Sequence, residues 1–334
     1  MKENGVQVRV GERVVARPHV SVIMPAYNVA PYISDAIKSV LAQTFSGYEI
    51  VVINDGSPDT TELEAALAPF AEQIVYVKQK NQGVAAARNT GLRVARSPII
   101  AQLDPDDMWL PNFLAVQVEI MERQPSIDVL YANSLVFGDT VNRGLELMAL
   151  SPSEGEVTFE SLISQKCTVL SCLAARRQTL FDVGLFDESL RASEDFDMWL
   201  RILKAGGKIG YHRQVLARYR QRKDSLSANP ISMCESILQV LDKVERTQAL
   251  TPEERQSLHE SKSKFRAMLS LSEGKKAFFD GNTVLAVEGL KKANKYYRSR
   301  KISLSICLLR FVPGLMLQIY NVRDRLLYKA NTRY

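Results

Sequence analysis

Apolar and polar residues alternate with two different periods along residues 19–110. Short runs rich in Val, Ile and Leu are separated by longer segments in which apolar residues recur every three or four positions. The short runs predict buried strands at Val20–Pro25, Glu49–Asn54, Ile74–Gln79 and Pro98–Leu103. The longer segments predict helices at Pro31–Gln43, Thr60–Phe70 and Val84–Ala95. This succession predicts βαβ units, and therefore an α/β fold with a mostly parallel mixed sheet flanked by helices.

Polar residues follow each of the four predicted strands. The four segments are Ala26-Tyr27-Asn28, Asp55-Gly56-Ser57, Asn81-Gln82-Gly83 and Asp104-Pro105-Asp106-Asp107. Ligands of open α/β sheets bind beyond the carboxyl ends of the strands. We therefore expect these four loops to form one binding rim.

The later part of the chain has a less regular pattern. It predicts a helix to about Arg123, a strand at Val129–Phe137, a loop at Gly138–Glu156, a helix at Glu194–Ala205 and a strand at Lys208–Tyr219. From Pro230 onward Gly and Pro become rare and helical patterning dominates. The predicted domains are an extension at 1–18, an α/β domain at 19–229 and a helical C-terminal region at 230–334.

Charge is distributed unevenly along the 334 residues, whose net charge is +6. Residues 291–334 contain eleven Lys or Arg and one acidic residue, so the rest of the chain is slightly acidic. This distribution predicts that nucleic acid is not a partner of the protein. The first 17 residues contain no continuous apolar run, which predicts a cytoplasmic protein without a signal peptide. The four cysteines lack metal-ligand spacing and are predicted to be buried, reduced thiols.

The basic tail also contains an apolar stretch at Ile302–Val322, interrupted by Arg310 and Pro313-Gly314. This pattern favours two short interfacial helices on an anionic membrane surface, which would make the protein peripheral on the inner face of the membrane. A membrane-spanning helix and an ordinary packing helix remain alternatives.

Two familiar phosphate-binding motifs are missing, namely GxGxxG after the first strand and GxxxxGK[ST]. Asp104 and Asp106, separated by a proline, instead provide the oxygen ligands that Mg²⁺ or Mn²⁺ prefers. The alternative is an acidic turn in which Asp107 caps a helix that begins near Leu110.

Taken together, the polar segments resemble the family 2 inverting glycosyltransferases, which have the GT-A fold. The resemblance covers residues 19–227. It rests on the order and spacing of five segments, which are Val20–Asn28, Ile53–Ser57, Asn81–Asn89, Leu103–Asp107 and Ser193–Asp195.

The resemblance implies a nucleotide-binding role for the first two of these segments. Pro25, Ala26 and Tyr27, with Asn28 beside them, would line the pocket for the base. Asp55 would accept a hydrogen bond from the edge of a pyrimidine, usually uracil.

The same resemblance also indicates which residues would contact the diphosphate and the metal. Arg88 would help to hold the nucleotide, although an exposed helical arginine is the alternative. Asp104 would reach the ribose or the metal, and Asp106 would be the main ligand of Mg²⁺ or Mn²⁺, which bridges to the diphosphate.

Transfer to a hydroxyl requires a general base, and Asp195 is the candidate. Ser193 is predicted to cap the helix that follows, with Glu194 orienting the acceptor or the base. Alternatively, Glu194 and Asp195 only complement the helix dipole.

One segment departs from the family pattern. Relatives carry a histidine where this chain has Arg222, within Tyr219–Ser227. Arg222 or Lys223 would then meet the phosphates directly as a cation, or form part of an exposed basic loop.

The predicted function is transfer of a sugar, with inversion, from a nucleotide-diphosphate donor, expected to be a UDP-sugar. The expected acceptor is a hydroxyl of a glycan or lipid-linked acceptor in cell-surface polysaccharide biosynthesis. A sugar-1-phosphate nucleotidyltransferase and a non-catalytic scaffold on the same fold are the alternatives.

Overall fold

The computed structural model describes residues 2–3, 6–222, 224–225, 228–312 and 314. The chain divides into two compact units, Met1–Lys223 and Asp224–Tyr334. The first unit is an α/β unit and the second is helical.

A mixed sheet forms the centre of the first unit. Within the described residues its strands are β1 Lys2–Glu3, β2 Val6–Val10, β3 Val20–Ala26, β4 Tyr48–Asp55, β5 Ile74–Gln79, β6 Ile99–Gln102, β7 Met108–Trp109, β8 Val129–Gly138, β9 Leu173–Arg176 and β10 Ile209–Gln221. Their order across the sheet is β1-β2-β5-β4-β3-β6-β9-β8-β10-β7. The pairs β5–β4, β4–β3, β3–β6 and β8–β10 are parallel. The predicted mostly parallel mixed sheet is therefore confirmed.

Helices cover the sheet. They are α1 Ala30–Leu41, α2 Thr60–Leu67, α3 Val84–Val94, α4 Phe113–Arg123, α5 Leu147–Leu150, α6 Phe159–Ile163, α7 Arg177–Asp182 and α8 Glu194–Lys204. Strand β4 is buried over seven of its eight residues, as expected for a parallel strand covered on both faces. Val22 and Met24 of β3 share one apolar core with Ile33 and Ile37 of α1. The core thus joins the sheet to the helix that follows β3.

Three elements differ from the sequence prediction. The segment predicted as an N-terminal extension contributes β2, which pairs antiparallel with β5. Strand β9 lies antiparallel between β6 and β8. It was not predicted because it is only four residues long and half of these residues are alanine. The predicted loop at Gly138–Glu156 contains the single-turn helix α5.

The second unit contains α9 Pro230–Thr247, α10 Pro252–Phe279, α11 Thr283–Tyr297 and α12 Arg300–Phe311. Its predicted helical character is confirmed. Helices α10 and α11 approach closely at two glycines, since a Cβ atom on Gly289 would lie 2.8 Å from the Cα of Gly274. Small residues at this crossing allow the two backbones to touch.

Helix α12 packs on this pair through one face. Leu309 belongs to the same apolar cluster as Phe278 and Leu290, whereas Leu304 and Phe311 are 61% and 78% exposed. Cys307 is also exposed, so the prediction that all four cysteines are buried is wrong. The remainder of the predicted apolar stretch, at 313 and 315–322, lies outside the described residues. In the part of the chain that is described, no helix has the length and apolar character needed to cross a membrane.

Candidate active site

The carboxyl ends of β5, β4, β3 and β6 lie side by side at one edge of the sheet, because these strands are parallel neighbours. The four polar loops predicted from the sequence follow these ends.

Asp55 ends β4 and organises the loop that follows β5. Its Oδ1 accepts hydrogen bonds from Gln79 Nε2 at 2.7 Å and from the Gln82 N–H at 3.0 Å, and its Oδ2 accepts one from the Gly83 N–H at 2.8 Å. Gly83 has a φ of 93°, a left-handed backbone conformation that suits glycine. Asp55 therefore fixes the start of α3, and both of its oxygens already accept hydrogen bonds.

The loop after β3 presents a different surface. Tyr27 is 50% exposed, and Asn28, also exposed, adopts a left-handed conformation with its N–H donating to Ser57 Oγ at 2.7 Å. Pro25 is partly buried, and the Ala26 side chain is fully buried in the core. A ligand on this edge would thus meet the Tyr27 ring, whereas Ala26 has only backbone to offer.

Arg88 of α3 connects two of the predicted segments. Its guanidinium group donates to Asp104 Oδ1 at 3.1 Å through Nη2 and to Glu194 Oε1 through Nη1. The side chains of Arg88 and Glu194 are 10% and 5% exposed. Arg88 is therefore a buried bridge, and the alternative of an exposed helical arginine is wrong.

The first turn of α8 places Glu194 and Asp195 beside Arg88. Ser193 precedes the helix with a left-handed φ of 59°, and its hydroxyl has no hydrogen-bond partner among the described residues. The prediction that Ser193 caps α8 through its side chain is wrong, because helix-capping residues normally adopt an extended conformation. Asp195 Oδ1 instead accepts the Phe196 N–H at 2.7 Å.

Burial raises the pKa values of both acids at the start of α8. For Asp195 the charge of Asp104 acts in the same direction as burial, and Arg88 partly opposes them. For Glu194 burial also dominates, again opposed by Arg88. A carboxylate with a raised pKa is a stronger proton acceptor than an ordinary one. Asp195 therefore holds a proton more tightly than an ordinary aspartate does.

Asp107 does not cap the helix predicted near Leu110. Helix α4 begins at Phe113, and strand β7 lies between it and Asp107. Asp107 Oδ1 accepts the Arg220 N–H at 2.7 Å, so this carboxylate connects the end of β6 to β10. Burial and the charges of Asp104 and Asp106 raise the pKa of Asp107 well above its usual range.

Two arginines of the β10 end surround Asp106. Arg222 Nε lies 3.2 Å from Asp106 Oδ2, and Arg220 Nε donates to the Asp106 carbonyl at 2.7 Å. Both guanidinium groups also lie over the Tyr32 ring, at 4.9 Å for Arg220 and 4.7 Å for Arg222. Arg222 thus contacts the acidic segment directly. Lys223, the other predicted cation, lies outside the described residues.

Asn89 ends the segment Asn81–Asn89, and the sequence alone predicted no role for this residue. Its amide exchanges two hydrogen bonds of 2.9 Å with the backbone N–H and C=O of Phe186, whose ring lies 5.7 Å from the Arg88 guanidinium carbon. Asparagine is unfavourable in the middle of a helix, and this low helix propensity was the signal available in the sequence. The structure adds that the side chain is buried. Asn89 positions the loop that covers Arg88.

The sequence of this chain is similar to those of known proteins. The model of the Glycosyl transferase family 2 matches residues 21–185. The UDP-Glc:alpha-D-GlcNAc-diphosphoundecaprenol beta-1,3-glucosyltransferase WfgD of Escherichia coli is 30% identical over 63% of this chain and 80% of its own length. The chain belongs to glycosyl transferase family 2.

Other family 2 relatives are longer than the matched region. An uncharacterized glycosyltransferase of Rickettsia typhi is 31% identical over 61% of this chain and 64% of its own length. This protein and four further Rickettsia proteins of the same description are matched over between 30% and 64% of their own lengths. The chain therefore spans less than two thirds of these relatives.

A solved structure supports the GT-A fold of this family 2 chain. The mannosyltransferase PcManGT from Pyrobaculum calidifontis, in complex with GDP-Man and Mn²⁺, superposes with a TM-score of 0.59 at 18% identity, over 94% of this chain and 90% of that one. At this identity the likeness concerns the fold. The predicted GT-A architecture with C-terminal helices is confirmed.

The acidic segment also suits the divalent cation that GT-A enzymes commonly use. Asp104 and Asp106 supply carboxylate oxygens at one strand end, and Mg²⁺ is usually held by one or two carboxylates together with substrate phosphates. Among the described residues no group of three or more His, Cys, Asp or Glu side chains is placed to hold a metal. The two aspartates therefore fit a cation that is shared with a diphosphate.

Proposed function

We propose that this family 2 chain transfers a sugar, with inversion, from a nucleotide-diphosphate donor to a hydroxyl of a glycan or lipid-linked acceptor in cell-surface polysaccharide biosynthesis. The observation that supports this proposal is the buried Arg88 side chain, which contacts Asp104, a proposed donor-side residue, and Glu194, the neighbour of the proposed base Asp195. Family membership favours this function over a sugar-1-phosphate nucleotidyltransferase or a scaffold.

The nucleotide would occupy the edge formed by the loops after β3 and β4. The exposed Tyr27 ring offers a stacking surface for the base, flanked by Pro25, Asn28 and the backbone of Ala26. Asp55 would share one of its oxygens with the edge of a uracil, in addition to the three hydrogen bonds that it already accepts. The UDP-glucose donor in the name of the E. coli relative supports a UDP-sugar.

The diphosphate would lie against the end of β6. Asp104 and Asp106 would hold Mg²⁺ or Mn²⁺ there, and the cation would supply positive charge for the departing nucleoside diphosphate. Arg88 fixes the orientation of Asp104 through its hydrogen bond.

Asp195 would act as the base. It accepts the proton of the acceptor hydroxyl while that oxygen attacks the anomeric carbon, and the nucleoside diphosphate leaves from the opposite face of the sugar. A single displacement of this kind inverts the anomeric configuration. Glu194 holds Arg88 and thereby positions its neighbour Asp195.

A lipid-linked acceptor would bring the protein to a membrane surface. The diphosphoundecaprenol substrate in the name of the E. coli relative supports such an acceptor. The excess of basic residues at 291–334 suits an anionic bilayer.

The direct test combines a donor panel with one substitution. The protein is incubated with UDP-, GDP- and dTDP-sugars and Mn²⁺ or Mg²⁺, water takes the place of the acceptor hydroxyl, and the slow release of nucleoside diphosphate is followed. Asp195→Asn is expected to reduce release by about 10²- to 10⁴-fold while nucleotide binding is retained. Asp182→Asn, an exposed aspartate at the end of α7, is the matched control. Inertness toward every donor would refute the proposed function, and an active Asp195→Asn variant would refute the base.

A further inference from the structure

The Arg222–Asp106 ion pair lies where a metal would have to bind. Arg222 Nε is 3.2 Å from Asp106 Oδ2, and the two side chains are only 14% and 17% exposed. The Coulomb attraction between two charges that are shielded from solvent is stronger than the attraction between two charges on the surface. A cation at Asp106 must therefore compete with a guanidinium group that is already there.

The surroundings hold Arg222 in this position. Its guanidinium carbon lies 4.7 Å from the centre of the Tyr32 ring. Arg220 lies over the same ring and is fixed by the carbonyl of Asp106 and by the Phe137 ring, 4.4 Å from its guanidinium carbon. The β10 end thus places two permanent cations beside Asp106, on an aromatic surface that favours them.

A nucleoside diphosphate changes this competition. Its phosphate oxygens are acceptors that guanidinium groups bind in a bidentate manner. When a diphosphate arrives at the end of β6, Arg222 gains a second anionic partner and can release the Asp106 carboxylate. The same diphosphate supplies the further oxygen ligands that two aspartates alone do not provide.

We propose that Arg222 is an internal counter-cation of Asp106, which suppresses metal binding in the absence of nucleotide and moves to the diphosphate when nucleotide and metal bind together. This proposal rests on the proposed nucleotide-diphosphate site. It makes Arg222 a positioning residue that couples the two ligands. Because such coupling is reciprocal, metal tightens nucleotide binding by the same factor as nucleotide tightens metal binding.

The test measures Mn²⁺ binding to the full chain by calorimetry, first alone and then with saturating UDP. Arg222→Gln is expected to bind Mn²⁺ alone roughly tenfold more tightly than the wild type, a factor within the usual range of coupling between sites. The additional tightening caused by UDP should be smaller in this variant than in the wild type. Arg218→Gln removes the same charge from an exposed position of β10, four residues before Arg222, and should change neither quantity.

Two further variants separate this effect from general damage. Arg222→Lys keeps a cation and should stay closer to the wild type in Mn²⁺ affinity than Arg222→Gln does. Asp106→Asn combined with Arg222→Gln should abolish the tightened binding. Unchanged or weaker Mn²⁺ binding in Arg222→Gln, or tightening that survives Asp106→Asn, would overturn the proposal. The titration with Mn²⁺ alone needs no donor, so it gives a result even if every nucleotide sugar proves inert and the proposed function fails.

Discussion

Arg88 and Glu194 form an ion pair that is almost completely buried, although 106 residues separate them in the chain. The same guanidinium group reaches Asp104, so a single side chain joins α3, the end of β6 and the start of α8. Removing one partner of a buried pair leaves the other charge without compensation, which is more costly than removing both.

Arg88→Gln is therefore expected to lower the free energy of unfolding by about 3–5 kcal/mol, as for other broken buried pairs. Chemical denaturation measures this change. Arg93→Gln is the control, because Arg93 lies on the same helix and its contact of 3.7 Å with Glu188 is exposed to solvent. The double variant Arg88→Gln/Glu194→Gln should recover part of the loss. Equal costs for Arg88→Gln and Arg93→Gln would contradict the role of the bridge.

The raised pKa of Asp195 predicts the pH dependence of transfer. A base works only when it is deprotonated, so activity is lost as the pH falls through the pKa of the base. Because burial raises that pKa, the acidic limb of kcat/KM should lie at a higher pH than an ordinary aspartate would give. Arg88 lowers the pKa of Asp195, so Arg88→Gln should move the limb to still higher pH. A limb that stays in place in this variant would argue against Asp195 as the titrating base.

Gly91 marks the contact between α3 and the sheet. A Cβ atom at this position would lie 2.6 Å from Ile23 Cγ2 and 2.9 Å from Ile53 Cδ1. Gly91→Ala should therefore lower the free energy of unfolding by about 1–3 kcal/mol through overpacking, even though alanine favours helices. Thermal and chemical denaturation report the change. In the double variant Gly91→Ala/Ile23→Ala the loss should be smaller than the sum of the two single losses, and simple additivity would exclude the steric explanation.

Membrane association can be tested without disturbing the packed face of α12. Truncation at Lys291 would interrupt α11 and remove Leu309 from its cluster, so point substitutions are preferable. Leu304→Ser/Phe311→Ser should weaken cosedimentation with anionic vesicles, because each buried CH₂ group contributes about 0.8 kcal/mol to membrane binding. Val141→Ser changes an exposed valine of the first unit and serves as the control. Undiminished vesicle binding by the double variant would remove α12 from this role.

The sequence predicted the parallel strands well because they are buried on both faces and therefore form continuous apolar runs, as in β4. It also placed the four polar loops at the strand ends, since that follows from the order of strands and helices. It could not predict contacts between distant segments. Asp107 was read as a local helix cap, whereas its partner is the N–H of Arg220, 113 residues away. The sequence could not predict the direction of the Arg88 side chain either, because only the folded structure shows that this side chain points inward.

The short strand β2 affects the tendency of the protein to associate with other copies of itself. Strand β5 carries Ile74, Val75 and Val77, and its backbone would offer hydrogen bonds to any passing strand if it formed the edge of the sheet. Instead β2 pairs with β5 from Gln7 to Val10, where valine alternates with Gln7 and Arg9, and the two-residue strand β1 lies outside β2. A charged five-residue strand is a poor template for pairing with another molecule. Strand β2 thus covers the apolar strand β5 and hinders its pairing with a second molecule.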